Sequence, residues 1–140
     1  MKTYIFSSIF LMLSLFSNTH LEAQQLNSSK NNYVLLTKKV AQLQPIILTA
    51  EALKAEDGES FGDFQVIICG REIGDITDSE KMDPFIEKAE KAGVQLIACG
   101  FSLNKFKIDK TKVPKKMKIV ENGILHNFQL QKKGYKSISL

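Results

Sequence analysis

Two cysteines carry most of the chemical potential of this chain, and each stands before a glycine at the end of an apolar run: Phe64 to Gly70 reads FQVIICG and Val94 to Gly100 reads VQLIACG. A strand that ends in Cys-Gly and turns into a helix sets its sulfur beside unpaired amide N–H groups and the positive end of a helix dipole. A thiol in such surroundings ionises more readily, which suits it to act as a nucleophile or to carry a second sulfur atom. Cys99 is the better placed of the two, because Gly100, Phe101 and Ser102 open a helical stretch. Cys69 is followed by GREIGDIT, which does not open a convincing helix at once. Against this chemistry stands plain packing, since free cysteine is among the most buried residue types. The two cysteines can also pair as a disulfide, the usual first expectation outside the cytosol. His126 is a lone histidine in a helical segment and reads as non-catalytic, and the other histidine, His20, falls in a targeting segment. No spacing of His, Cys, Asp and Glu suggests a metal site, and no phosphate-binding loop or nucleophile elbow occurs, so no metal or cofactor is expected.

The elements that must position these sulfurs alternate along the chain. Tyr33 to Leu36 is a short strand, and Pro45 marks the first turn of a helix in which Ile46, Ile47, Ala50 and Leu53 recur to about Ala55. Gly58 and Gly62 punctuate a loop, and Phe64 to Cys69 is a nearly continuous apolar run, as in a strand covered on both faces. Asp83-Pro84 is either a helix start or a reset within a helix begun near Ser79, and Gly93 suits its end. Val94 to Ala98 is the third strand, followed by a short helix with Leu103 and Phe106 inward. Ile119-Val120 is a fourth strand, Asn122-Gly123 a turn, and Ile124 to Lys132 a helix with Ile124, Leu125 and Phe128 at helical spacing. Gly134 closes it, and Tyr135 to Leu140 alternates like an edge strand. This alternation predicts an α/β domain of three layers, α/β/α, around a mostly parallel sheet of about five strands. Ligands of such sheets gather beyond the carboxyl ends of the strands, where both cysteines lie.

Residues 1–23 read as a secretory signal peptide: Lys2, an apolar run from Tyr4 to Phe16 and a polar tail ending in Ala23. The run has 13 residues, short of the roughly 20 a membrane-spanning helix needs. Export to the periplasm or outside of a bacterial cell is therefore expected, with cleavage after Ala23, a disordered leader over 24–32 and one domain over 33–140. Seven lysines lie between Lys105 and Lys118, and Glu51 to Asp63 is acidic. Both segments read as solvated loops, the lysine-rich one being able to dock an anion or an acidic partner. Nucleic acid is not an expected partner, because Arg71 is the single arginine and no aromatics interleave the lysines.

The segments AGVQLIACGFSLNKFKI (Ala92 to Ile108) and VPKKMKIVENGILHNFQLQKKGYKSISL (Val113 to Leu140) resemble the DsrE/DsrF-like family of sulfur-relay proteins. The likeness rests on the Ala98-Cys99-Gly100 corner, the Val120 to Ile124 turn and the Leu130 to Tyr135 stretch. The resemblance implies an α/β/α fold with a five-stranded, mostly parallel sheet. It also implies a cysteine that carries sulfur as a persulfide within a homo- or hetero-oligomer. By position Cys99 is that cysteine. On this reading Ser102, Asn104 and Arg71 line its pocket, and the backbone amides of Gly100, Phe101 and Ser102 hold the anion. The expected partners are a sulfur donor and acceptor, protein or small thiol, and further copies of the chain. Two other functions fit the same residues: a non-enzymatic binding or assembly module of the cell envelope, and a thiol-redox protein that pairs Cys69 with Cys99.

Overall fold

The computed structural model describes residues 30–140; the expected signal peptide and most of the expected leader lie outside these residues. Five strands form one all-parallel sheet: β1 (Asn31–Thr37), β2 (Phe61–Ile68), β3 (Val94–Cys99), β4 (Lys118–Val120) and β5 (Lys136–Ser139), in the spatial order β4-β3-β2-β1-β5. Four helices connect them: α1 (Leu43–Asp57), α2 (Ser79–Ala92), α3 (Gly100–Lys105) and α4 (Gly123–Lys132). The expected three-layer α/β/α architecture is the one observed.

The strand order explains the layers. From β1 to β4 the chain steps along the sheet in one direction, and from β4 to β5 it crosses back over the whole sheet in the other. Right-handed crossovers taken in opposite directions put their helices on opposite faces. α1 and α2 therefore pack together on one face, and α4 lies on the other, against β1, β2, β3 and β5. Strand side chains alternate between these faces. On β2, Phe64, Val66 and Ile68 turn to the α1/α2 side, whereas Asp63, Gln65, Ile67 and Cys69 turn to the α4 side. Two contacts fix this: His126 of α4 bonds to Gln65, and Gly123 of α4 abuts Ile67 and Cys69.

The main core fills the α1/α2 side. Ile46, Ile47 and Ala50 of α1, with Met82, Ile86 and Ala89 of α2, are buried with Phe64, Val66, Ile68, Leu96 and Ala98 of the sheet. α2 begins at Ser79 with the Asp78 carboxylate accepting from the Lys81 N–H, so Pro84 is a reset inside the helix and not its start. Gly93 ends α2 in the left-handed conformation.

Three expectations need correction. β1 begins at Asn31, inside the stretch expected as leader, and β2 begins at Phe61. Asn122-Gly123 is not a free-standing turn: Asn122 caps α4, accepting from the Ile124 and Leu125 N–H groups, and Gly123 is its first residue. The periodic residues of α4 face outward. Ile124, Leu125 and Phe128 are 58%, 54% and 58% exposed, while Asn127 is buried and His126 reaches into the sheet. Polar groups on the sheet below explain the inversion. Asp63 accepts from Gln65 and from the Tyr135 hydroxyl (2.7 Å), Gln65 meets the His126 imidazole (2.9 Å), and Asn127 accepts from Ser137 (3.0 Å) and Gln131 (2.7 Å). Turning the apolar stripe of α4 inward would break the bonds of His126 to Gln65 and of Ser137 to Asn127, at roughly 1–3 kcal/mol for each group left buried without a partner.

Candidate functional site: two thiols beneath a helix start

The site begins with the register of β2 against β3. Gln65 pairs with Gln95, Ile67 with Ile97 and Ile68 with Ala98, so Cys69, just past the end of β2, and Cys99, the last residue of β3, follow the last pair of this ladder at the carboxyl ends of two neighbouring strands. Both turn toward α4, and both thiols are free and buried. Cys99 is 3% and Cys69 8% exposed, yet both border a pocket of about 430 Å³. Leu36, Gly70, Ser102, Phe106 and Asn122 share the wall, and Phe101 and Ile124, both well exposed, stand at its rim. Lys38 and Lys105 are the charged residues of the lining, with no carboxylate among them.

Gly123 is the residue on which the site is built. Its N–H donates to the Cys99 Sγ at 3.2 Å, at the first position of α4. A Cβ at this position would stand 2.6 Å from the Cys69 Sγ, 2.7 Å from an Ile67 methyl and 3.1 Å from the Cys99 Cβ. Only glycine lets the helix start settle this close to both sulfurs. At Gly100 the requirement is also space: a Cβ there would lie 2.8 Å from the Val120 carbonyl oxygen. Gly70, by contrast, adopts φ 91°, a conformation that disfavours any other residue.

The two thiols are held differently. Burial pushes the Cys69 thiol up to about 12, reinforced by the neighbouring Cys99 charge and by its hydrogen bond to Cys99. Burial acts against the Cys99 thiolate too. Hydrogen bonding from the Ser102 hydroxyl, the Gly123 and Ser102 N–H groups and the Cys69 thiol more than reverses it, and leaves Cys99 below the ordinary thiol range. Ser102 also ties the two corners together, since its Oγ accepts from the Gly70 N–H at 3.0 Å. The arrangement is that of an ionisable sulfur with a protonated neighbour.

The residues expected at the site separate on this geometry. Cys69, Cys99, Phe101 and Ser102 line the pocket, and Gly100 makes the strand-to-helix corner possible. Arg71 and Asn104 are exposed and stand outside the lining. The Phe101 N–H, expected to hold an anion, donates to the Glu121 carbonyl at 2.7 Å; a donor from α4 addresses the sulfur instead. Gly123 and Lys38 escape the sequence reading, whereas Lys105 opens the lysine-rich segment expected to dock an anion or an acidic partner. An Asn-Gly pair opening a helix is the one available signal for Gly123, and nothing local marks Lys38. His126 lies on the α4 side but serves the polar ladder through Gln65. Among the described residues no cluster of three or more His, Cys, Asp or Glu could hold a metal ion, and no helix is long and apolar enough to cross a membrane.

No family model matches the chain, and no curated protein does. Solved structures do. A protein of unknown function from Methanobacterium thermoautotrophicum, 17% identical, superposes with a TM-score of 0.66 over 79% of this chain and 99% of its own. A conserved protein of unknown function from Bacteroides thetaiotaomicron, 14% identical, gives a TM-score of 0.61 over 79% of this chain and 95% of its own. At these identities the likeness is one of fold, and the chain shares an α/β fold with both.

Proposed function

We propose that the chain is an exported sulfur carrier or sulfurtransferase of DsrE/DsrF-like type, working through Cys99. The Cys99 thiolate attacks the outer sulfur of a sulfane donor R–S–SH; the new S–S bond forms as the donor's bond breaks, and RSH leaves with a proton. An acceptor thiolate then attacks the outer sulfur of the Cys99 persulfide and returns Cys99 as the leaving thiolate. The observation that carries this reading is the environment of one atom: the Cys99 Sγ accepts from the Gly123 N–H, has Ser102 and the Cys69 thiol as neighbours, and borders a pocket. Such donors favour the anion that both steps require as attacking or leaving group. Lys38 and Lys105 suit an anionic donor or an acidic rim on a protein partner. Incubation with an organic persulfide, then intact-mass analysis, is expected to add one sulfur to Cys99 in the parent and none in Cys99→Ser. Equal uptake by the variant would end this reading.

A non-enzymatic docking role draws on a separate observation, the outward Ile124, Leu125 and Phe128 stripe of α4. Contiguous exposed apolar surface of this kind marks interaction sites, whether the occupant is another copy or a donor or acceptor protein. If docking is the whole function, alkylating Cys99 leaves assembly and binding intact.

A further inference from the structure

Cys69 has no part in the transfer above, yet it is the nearest nucleophile to the sulfur that Cys99 would carry. We infer that Cys69 is a resolving thiol: it attacks the Cys99 Sγ of the persulfide, closes a Cys69–Cys99 disulfide and expels the outer sulfur as hydrosulfide. This rests on the sulfur-carrying reading of Cys99. The step balances without an external oxidant. The Cys69 thiol and the Cys99 persulfide become one Cys69–Cys99 disulfide and one molecule of hydrogen sulfide; the sulfane sulfur is reduced to sulfide, the two cysteines are oxidised, and the Cys69 proton leaves with the hydrosulfide. A low-molecular-weight or protein dithiol then reduces the bridge and resets the pair.

The geometry that carries this is the ladder. Ile68 and Ala98 are partners on adjacent parallel strands, and Cys69 and Cys99 are the next residues. Adjacent strands lie about 4.8 Å apart, within the ~4.4–6.8 Å between Cα atoms that a disulfide spans. Both side chains turn to the same face, under Gly123, whose added Cβ would meet the Cys69 Sγ at 2.6 Å and the Cys99 Cβ at 3.1 Å. Both sulfur-bearing side chains thus share one crowded spot beneath the start of α4, at the ends of neighbouring strands whose spacing already suits the bridge. Burial keeps Cys69 protonated at neutral pH, and this slows the attack. A persulfide that meets an acceptor promptly is passed on; one that does not is discharged as sulfide.

The experiment loads the full mature chain with an organic persulfide, removes the donor by gel filtration, and follows intact mass under non-reducing conditions together with free sulfide. In the parent the one-sulfur adduct is expected to decay to the disulfide, two hydrogens lighter than the dithiol, with one sulfide released per chain. In Cys69→Ser and Cys69→Ala the adduct should persist at least about tenfold longer, the fold-change expected when the only adjacent thiol is removed. Two variants are used because serine keeps a donor toward Cys99 and alanine does not. An adduct that survives as long in the parent as in both variants overturns the inference. So does sulfide release from the parent that leaves two free thiols. Failure of the parent and both variants to load sulfur removes the carrier reading and this inference together, whereas loading without resolution removes only the latter.

Discussion

The two faces of the sheet are built on opposite plans. On the α1/α2 side two amphipathic helices press apolar stripes onto Phe64, Val66, Ile68, Leu96 and Ala98, and the strand residues there are almost wholly buried. On the other side a single 10-residue helix, α4, lies over Gln65 and Ser137, joined to them by hydrogen bonds from His126 and Asn127, with Ile124, Leu125 and Phe128 turned away and Leu130 alone of its large apolar residues buried. Each side chain of leucine or isoleucine size withdrawn from water stabilises the chain by about 1.5–3 kcal/mol, against about 0.5–1.5 net for a hydrogen bond. The first face therefore supplies most of the folding free energy. The second acts by position. Hydrogen bonds fix direction and register where apolar packing tolerates sliding, and the register of α4 decides where the Gly123 N–H meets the Cys99 sulfur.

The contrast is broken most directly by Ile68→Ala. Ile68 is fully buried on the α1/α2 side, and the cavity left there is expected to cost about 2–5 kcal/mol in urea unfolding. A loss below about 1 kcal/mol would mean that this face is not the one that holds the fold. Next in size is Gly123→Ala. The added methyl would sit 2.6 Å from the Cys69 Sγ, so α4 must lift at its start, with an expected cost of about 1–3 kcal/mol from overpacking. Lifting also lengthens the Gly123 N–H contact to Cys99, one of the interactions that hold its thiol low. The rate of Cys99 alkylation against pH should then move to higher pH. An unmoved profile would assign the low thiol to Ser102 and Cys69 alone.

The first face was readable from the sequence because its rule is local. The nearly continuous apolar runs Phe64 to Cys69 and Val94 to Ala98, and the spacing of Ile46, Ile47 and Ala50, each state their burial without reference to distant residues. The corner at Cys99-Gly100 was legible for the same reason. The second face was not. Ile124, Leu125 and Phe128 have the spacing of a core stripe, and periodicity does not tell which side of a helix meets the sheet. That is decided by Gln65 and Ser137, which reach His126 and Asn127 of α4 from elsewhere in the chain. Gly123 looked like an ordinary Asn-Gly turn because its crowding by Cys69 and Ile67 exists only once β2 and α4 are together. The sequence places the pocket at the correct end of the sheet, but Arg71 and Asn104, which follow the cysteines in the chain, stand outside it, whereas Lys38 enters its lining from the end of β1.

The smallest expected effect is the sharpest test of the comparison. Leu125→Gln with Phe128→Gln replaces two exposed apolar side chains by a residue that favours helix at least as well. Within one chain neither leucine nor phenylalanine is packed, so unfolding should change by no more than about 0.5 kcal/mol per site. The urea midpoint of the pair is expected to match the parent, and Cys99 alkylation should be unaltered. A loss comparable to that of Ile68→Ala would have one physical source, that the stripe is covered in the native state by something other than this chain. A covering copy stabilises the fold in proportion to its concentration. The same measurement at two protein concentrations therefore separates the cases: a midpoint that rises with concentration in the parent and stays fixed in the double variant assigns the α4 surface to self-association, and a midpoint fixed in both leaves the second face held by contacts within this chain alone.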